Sequence, residues 1–253
     1  MKRKYYYSIM KYKNIILYCI FAFSGIIYSQ SQDTLQTDPV NITAKAVINR
    51  YLYAIGGVDK FKSVLDRTTV MTGTAMGQPI DIMVMQKYPD KFFQELQAGE
   101  VKQFLYYNSG KGTMTIGDEK INIEGKELER LSMDANMQLL LDPESHGVKM
   151  ELLPIEFVDS VECLVIKFTL PSGIRWFQYY ANDSGLKVKE IKEIQTKQGL
   201  FEQETYFSDY REVSGLKFPF TLKQYFGIQE IDLTVTSIEI NTDLEDKVFE
   251  VPE

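Results

Sequence analysis

The strongest constraint on the fold is a two-residue alternation of apolar and polar side chains between Thr68 and Ile240. Ile231, Leu233 and Val235, for instance, alternate with polar neighbours, as expected of a strand with one buried face. Turn-forming residues interrupt the alternation roughly every eight to twelve positions, a spacing typical of all-β meanders. The predicted strands lie near 68–76, 79–88, 91–97, 101–108, 111–117, 120–124, 147–153, 155–159, 161–170, 174–181, 186–195, 201–210, 217–226 and 229–240. The pattern predicts a mainly β (α+β) chain whose single curved antiparallel sheet closes towards a barrel or sandwich.

Two segments follow the helical period instead. Asp38 and Pro39 form a typical helix start, and an apolar stripe then continues to Ile55, before Gly56-Gly57, so we predict a helix over 40–55. A second helix is predicted over 125–141, and it is apolar over most of its circumference. Such a helix needs apolar cover on two sides, and the concave face of the curved sheet is the predicted cover.

The strand predicted at 79–88 departs from the one-sided pattern. Ile82 and Val84 face one side of the sheet, whereas Met83 and Met85 face the other. Both faces of this strand are therefore apolar, and one of them needs cover that its own sheet does not provide.

The first 29 residues are predicted to be a secretory signal. Basic residues are followed by an apolar run from Ile15 to Ile27 and by the small residue Ser29, the order typical of signal peptides. A membrane anchor is the alternative, but the run is shorter than the roughly 20 residues of a spanning helix. Bulky Tyr18 before Cys19 disfavours a lipoprotein signal. We expect a signal peptide (1–29), a flexible segment (30–38) and one domain (39–253).

The chain is acidic, with 35 Asp and Glu against 28 Lys and Arg. Five of the basic residues and none of the acidic ones lie in the predicted signal, so the net charge beyond it is −12. Such a surface repels nucleic-acid phosphates, and nucleic-acid binding is therefore excluded as a function class. Cys163 is the one cysteine beyond the signal; we expect no intrachain disulfide, and its apolar surroundings predict a buried thiol.

Motifs that would indicate catalysis are absent from the sequence. The single histidine, His146, lies in a loop-like stretch, and there is no His-Glu-x-x-His motif for a metal. There is also no Gly-x-Ser-x-Gly nucleophile elbow and no phosphate-binding loop. We therefore expect no metal, no cofactor and no enzymatic activity. A hydrolase that uses two carboxylates remains an alternative, since pairing in space is not visible in a sequence.

Several segments resemble a known superfamily. Segment 209–219 (DYREVSGLKFP) is followed by two strands and then by Phe249-Glu250-Val251-Pro252. This ending resembles that of the periplasmic lipoprotein carriers and receptors, the Lol proteins and their relatives. It is also similar to small exported domains found behind pitrilysin-type zinc peptidases, whose opening helix and turn resemble segment 54–64. Segments 107–112 and 179–186 resemble two of their hairpins, although Thr113-Met114 stand where a tryptophan is common.

The resemblance covers most of residues 40–253 and implies an incompletely closed half-barrel with helices packed on its concave face. It further implies a non-enzymatic periplasmic protein that binds or carries a lipid, acyl chain or lipoprotein. The implied location is the periplasm, and it includes a position peripheral to the outer membrane. The implied partners are an apolar ligand and a cell-envelope protein. An accessory protein for a separately encoded zinc peptidase is the alternative suggested by the second group.

The candidate ligand-binding residues come from the strand at 79–88 and the helix at 125–141. We expect a ligand between Met83 and Met85 on the strand and Met133 and Met137 on the helix, since methionines adapt to varied chains. The full predicted set is Ile82, Met83, Val84, Met85, Leu128, Leu131, Met133, Met137 and Leu140. The alternative is a packed core without a ligand, in which these methionines fill gaps.

Overall fold

The computed structural model describes residues 42–196 and 199–251, within which thirteen strands form one antiparallel sheet. In chain order they are β1 (Asp66–Ala75), β2 (Gln78–Lys87), β3 (Lys91–Ala98), β4 (Val101–Asn108), β5 (Lys111–Ile116), β6 (Glu119–Ile123), β7 (Lys149–Val158), β8 (Val161–Thr169), β9 (Arg175–Ala181), β10 (Lys187–Thr196), β11 (Gly199–Val213), β12 (Leu216–Phe226) and β13 (Gln229–Ile240). Two meanders, β1–β6 and β7–β13, are joined where β1 pairs with β13. Because β6 and β7 lie at opposite ends of the sheet, the barrel is not closed, and the predicted fold class is confirmed.

One predicted strand boundary is wrong. The strands predicted at 147–153 and 155–159 form the single strand β7, whose pairing with β8 shifts between Leu153 and Glu156. Pro154 lies within this shift. A proline has no N–H to donate, but an edge strand has one side without a partner, so the chain can stay extended through it.

The first helix described, α1, spans Ala44–Ala54 and begins later than predicted. Thr43 is its N-cap, and the Thr43 hydroxyl accepts a hydrogen bond from the Ala46 amide at 3.2 Å. The predicted cap Asp38 lies outside the described residues, as do segments 1–29 and 30–38. The predicted end is confirmed, since the Gly57 amide donates to the Leu52 carbonyl at 2.8 Å. A Cβ on Gly56 would lie 2.3 Å from the Gly215 carbonyl oxygen, so the approach to the β11–β12 turn requires glycine there.

The predicted helix 125–141 is shorter in the structure. A short helix, α2 (Val58–Lys62), follows α1, and the third helix, α3, spans Gly125–Ala135. Asn136 leaves the helical conformation, and its side-chain oxygen accepts a hydrogen bond from the Gln138 amide at 3.0 Å. This local bond competes with the next helical one, as asparagine side chains often do. Leu139–Leu141 form a separate 3₁₀ turn, followed by another at Pro143–His146.

The helices cover the two wings of the concave face. Val47, Ile48 and Leu52 of α1 pack in one buried cluster with β8 and β9, which contribute Ile166 and Trp176 among others. Leu131 and Ala135 of α3 belong to a second cluster with residues of β3–β6. The helix 125–141 was predicted to lie on the concave face, and α3 does so. No helix among the described residues is long and apolar enough to cross a membrane.

The end of the chain packs on the opposite, convex face. Phe249, in a 3₁₀ turn at Asp246–Phe249, is 1% exposed and clusters with Phe93 and Tyr106. Both carboxylate oxygens of Asp66 accept hydrogen bonds from this segment, from the amides of Thr242 at 2.8 Å and Asp243 at 2.9 Å. The second face of β2 therefore receives its cover from the C-terminal segment.

Candidate functional site

The middle of the concave face, between the two helix-covered wings, contains two adjoining cavities. Their volumes are about 310 Å³ and 360 Å³, which lie at the lower end of the range for ligand sites. Arg67, Met71, Val84 and Leu222 line both of them and form the boundary that they share. The two cavities can therefore be treated as one divided space.

The first cavity lies beneath helices α1 and α2. Its apolar lining comes from α2, from the residues that follow α1, α2 and α3, and from β1, β2, β11, β12 and β13. These apolar side chains are Ile55, Phe61, Val64, Met71, Val84, Met137, Phe207, Leu216, Phe218, Pro219, Leu222, Val235 and Ile238. A backbone hydrogen bond joins the end of α1 to β12 at one side of this cavity: the Lys217 amide donates to the Ile55 carbonyl at 2.7 Å. This cavity is predominantly apolar, with a few polar groups at defined places.

The second cavity lies between α3 and the far halves of the central strands. Its apolar wall includes Ile80, Leu96, Leu131, Ile194, Ile231 and Leu233. Its polar lining includes Gln94, Arg130, Asp134, Lys192, Gln203 and Gln224. One wall of the second cavity is thus apolar, and another wall is charged.

The charged wall is an ion-pair network that ties α3 to β10. Arg130 donates from Nε to Glu127 Oε1 at 2.8 Å and also pairs with Asp134. Lys192 of β10 lies 2.6 Å from Asp134 Oδ1 and 3.2 Å from Glu190 Oε1. Each carboxylate of this network therefore has a cationic partner.

The network sets the protonation state of Glu190. Burial alone would raise the pKa of this carboxyl, but the charges of Lys187 and Lys192 outweigh burial and lower its pKa to about 2. Burial alone would likewise lower the pKa of Lys192, but Asp134 and Glu190 raise it. Glu190 and Lys192 are therefore both charged at neutral pH.

Unlike Arg130 and Lys192, Arg67 has no carboxylate partner among the described residues. It donates to the side-chain oxygen of Gln86, and its guanidinium lies 5.6 Å from the ring centre of Phe218. Its Nε is buried and makes no hydrogen bond within the described part of the chain. Burial lowers the pKa of Arg67, but an arginine remains protonated at neutral pH. A cation is thus held at the boundary of the two cavities without charge compensation.

Tyr51 of α1 brings a hydroxyl into the same cavity as Arg67. Burial and the charge of Glu190 raise the Tyr51 pKa to about 12, against the opposing effect of Arg67. The hydroxyl is therefore protonated at neutral pH and can donate a hydrogen bond.

The structure places the sequence-predicted site residues in three surroundings: the linings of the two cavities, the clusters under the helices, and the convex face. Ile82 and Leu131 line the second cavity, Met137 lines the first, and Val84 lines both. Leu128, Met133 and Leu140 pack against the buried clusters under the helices and are not part of either lining.

The predicted seat between Met83/Met85 and Met133/Met137 is wrong. Met83 and Met85 lie on the convex face, where they pack against the cluster of Phe93, Tyr106 and Phe249. Strand parity correctly places Met83 and Met85 on one face and Val84 on the other. It does not identify which face is concave, and the cover comes from a segment more than a hundred residues away.

Several lining residues were missed by the sequence-based prediction. Leu222 follows Phe218 and Phe220 at alternate positions of a predicted strand, and that alternation was the available signal for it. Met71 has Thr69 and Gly73 as its neighbours on the same face and carried no such signal. Arg67 precedes the predicted strand 68–76, whereas β1 begins at Asp66. If the predicted strand had begun two residues earlier, at Asp66, its alternation would have placed Arg67 on the same face as Met71.

No candidate metal site is found in residues 42–196 and 199–251. No group of three or more metal-ligating side chains occurs there. His146 contacts the amide of Asn136, with Nε2 3.0 Å from Nδ2. Cys163 is fully buried, as predicted, and burial raises the pKa of its thiol, which makes it a weak nucleophile.

The chain resembles known proteins in fold but not detectably in sequence. No model of a known protein family matches it, and no curated protein does. A LolA superfamily protein from Nitrosomonas europaea is similar with a TM-score of 0.56 and 14% identity, over 83% of this chain and 98% of that one. A DUF1329 family protein from Desulfovibrio piger gives 0.54 and 15%, over 82% and 97%. A putative outer membrane lipoprotein-sorting protein domain from Vibrio parahaemolyticus gives 0.52 and 9%, over 81% and 95%. The predicted Lol-like fold is thereby supported.

Proposed function

We propose that this protein binds an apolar chain, such as a lipid acyl chain or the acylated end of a lipoprotein, and carries it through the periplasm. The observation that carries the proposal is the divided cavity between the helix-covered wings of the concave face. The periplasmic location rests on the predicted signal segment. The fold it shares with LolA superfamily and lipoprotein-sorting proteins supports the same class of function.

The binding energy would come from apolar burial. Each enclosed methylene contributes about 0.8 kcal/mol, so a chain of about ten methylenes contributes on the order of 8 kcal/mol before ordering costs. Association and ordering reduce this figure, and micromolar affinity is expected. Such an affinity suits a carrier, which must release what it binds.

A binding function also agrees with the ion pairing of the acidic residues beside the second cavity. A carboxylate hydrolase needs an acid of raised pKa next to an ionised one. Asp134 and Glu190 instead have cationic partners, and Glu190 has a lowered pKa. The proposal accordingly includes no catalytic step.

The test fills the cavity with a larger side chain. Met71 lines both cavities, whereas Thr72, the next residue of β1, is exposed on the opposite face. Met71→Trp is expected to reduce binding of a fluorescent fatty acid at least about ten-fold, with less than about 1 kcal/mol change in unfolding free energy, because the ring occupies existing space. Thr72→Trp makes the same substitution one residue away and is the matched control, with binding as in the wild type.

Two results would contradict the proposal. One is the absence of fatty-acid uptake by the wild-type protein at micromolar concentration. The other is a loss of roughly 1–3 kcal/mol of stability in Met71→Trp with no effect on uptake, the behaviour of an overpacked core without a ligand space.

A second candidate function, docking of a cell-envelope protein, is favoured by one observation at the sheet edge. β7 ends the sheet, and its side chains Ile155 and Phe157 are 51% and 69% exposed. An exposed edge strand can pair with an incoming strand. A carrier that hands over its ligand needs such a contact, and a separately encoded zinc peptidase is one candidate partner. Co-purification of an envelope protein with the wild type would support this function.

A further inference from the structure

The charges that line the first cavity have one sign. Arg67, Lys187 and Lys217 contribute to its lining, and no aspartate or glutamate does. This imbalance occurs in a chain with more acidic than basic residues. An apolar space with cationic side chains and no carboxylate is suited to a ligand that has both an apolar chain and a negative charge.

The three cations are not equally available to a ligand. Lys187 is already engaged, because its Nζ lies 3.0 Å from Glu190 Oε2 and 4.6 Å from the centre of the Phe207 ring. Lys217 is exposed to solvent. Arg67 combines partial burial, a position on the boundary of both cavities and the lack of a carboxylate partner within the described residues.

An unpaired cation in partly apolar surroundings is unfavourable for the folded protein unless something compensates it. Gln86 offers only a neutral oxygen to Arg67, and the Nε hydrogen of Arg67 has no acceptor in the described part of the chain. An anionic group would supply both the missing charge and the missing acceptor. A guanidinium is well suited to this task because its N–H groups match carboxylate and phosphate oxygens.

We propose that the ligand of the divided cavity is an anionic amphiphile, whose carboxylate or phosphate group binds Arg67 while its apolar chain occupies the cavities. This inference rests on the proposed function and specifies the class of ligand. The protonated hydroxyl of Tyr51 is a second donor in the same cavity. The Phe218 ring centre lies 5.6 Å from the guanidinium, within the range of a cation–π contact.

The experiment compares probes that share one chain and differ at the end group. Hexadecanoate, hexadecyl phosphate and neutral hexadecanol are titrated into the full chain by displacement of a fluorescent fatty acid. The wild type is expected to bind both anions roughly ten- to hundred-fold more tightly than the alcohol, the usual range for hydrogen bonds to a charged group. The stronger of the two anions identifies the headgroup chemistry, and either order supports the proposal.

Two variants assign the effect to Arg67. Arg67→Gln is expected to lower the affinity for both anions to about that for the alcohol. Arg211→Gln is the matched control, since Arg211 also lies over a phenylalanine of β12, Phe220, but pairs with Asp209 and is not part of either lining. It is expected to behave as the wild type.

The outcomes separate this inference from the proposed function. Equal affinity for the alcohol and the anions, or an unchanged preference in Arg67→Gln, would overturn the anionic ligand and leave the carrier function intact. Binding of inorganic phosphate or acetate as tightly as the long-chain anions would also overturn it, because the chain would then contribute nothing. Failure of all three long-chain probes to bind would instead contradict the proposed function itself.

Discussion

The ion-pair network beside the second cavity provides a quantitative test of how α3 is held. Arg130 is 7% exposed and Glu127 is 8% exposed, and Arg130 pairs with both Glu127 and Asp134. Arg130→Met removes the cation and keeps much of its apolar stem. Glu127 then has no cationic partner among the described residues, whereas Asp134 retains Lys192.

The expected loss follows from this asymmetry. Removing one partner of a buried ion pair costs about 3–5 kcal/mol, because the remaining charge stays desolvated. In a domain of this size each kcal/mol corresponds to roughly 2–4 °C, so the melting temperature should fall by roughly 6–20 °C. A double variant, Glu127→Gln with Arg130→Met, removes both charges and should recover at least about 1.5 kcal/mol of that loss.

The assay is urea unfolding followed by circular dichroism, with the melting temperature as a second measurement. Arg211→Met is the control, because the Arg211–Asp209 pair is largely exposed and such pairs contribute about 0–1 kcal/mol. A loss below about 1 kcal/mol in Arg130→Met would refute the reasoning. So would a double variant as unstable as the single one, since the stranded charge would then not be the cause.

Two further predictions concern the same region. Leu131 is 2% exposed, so Leu131→Asp should destabilise severely by placing an unpaired charge in an apolar site; an unchanged melting temperature would contradict this. Glu190 has a pKa of about 2 in the folded protein, below its ordinary 4.5, so its stabilisation is present above pH 4.5 and is lost as the pH falls towards 2. The shift corresponds to on the order of 3 kcal/mol of folding stability. Glu190→Gln should therefore reduce the loss of stability between pH 4.5 and pH 2, and urea titrations at several pH values between 2 and 7 would measure this.

The sheet could be predicted well from the sequence because its signal is local. Each strand carries its own alternation, and turn residues such as Gly215, which has a positive φ of 80°, separate one strand from the next. Pairing of consecutive strands then follows from short connections. The two strands predicted on either side of Pro154 form one strand because this proline lies on an edge strand. The order of the strands along the chain does not show which of them lie at the edges of the sheet.

The site could be predicted only in part, because its composition depends on contacts between distant segments. Val84 and Leu131 belong to the predicted set and line the cavities. The sequence did not show which face of the strand is concave, and the cover of Met83 and Met85 comes from the segment around Phe249. The helix was expected to continue through Met137, but Asn136 ends it. Arg67 carries no signal of its own, since the lack of a carboxylate partner is a property of the folded chain.

The charged network and the apolar cavity are physically linked. Apolar association is non-directional, so a concave face that was apolar throughout would favour collapse of its two wings onto each other. Ion pairs have fixed geometry and stay costly to separate once buried. Asp134 on α3 and Lys192 on β10 connect the two wings at 2.6 Å, and they thereby fix the separation across the middle of the sheet. Among the described residues this ion pair joins α3 to β10, and its fixed geometry favours an open apolar space between the wings over their collapse.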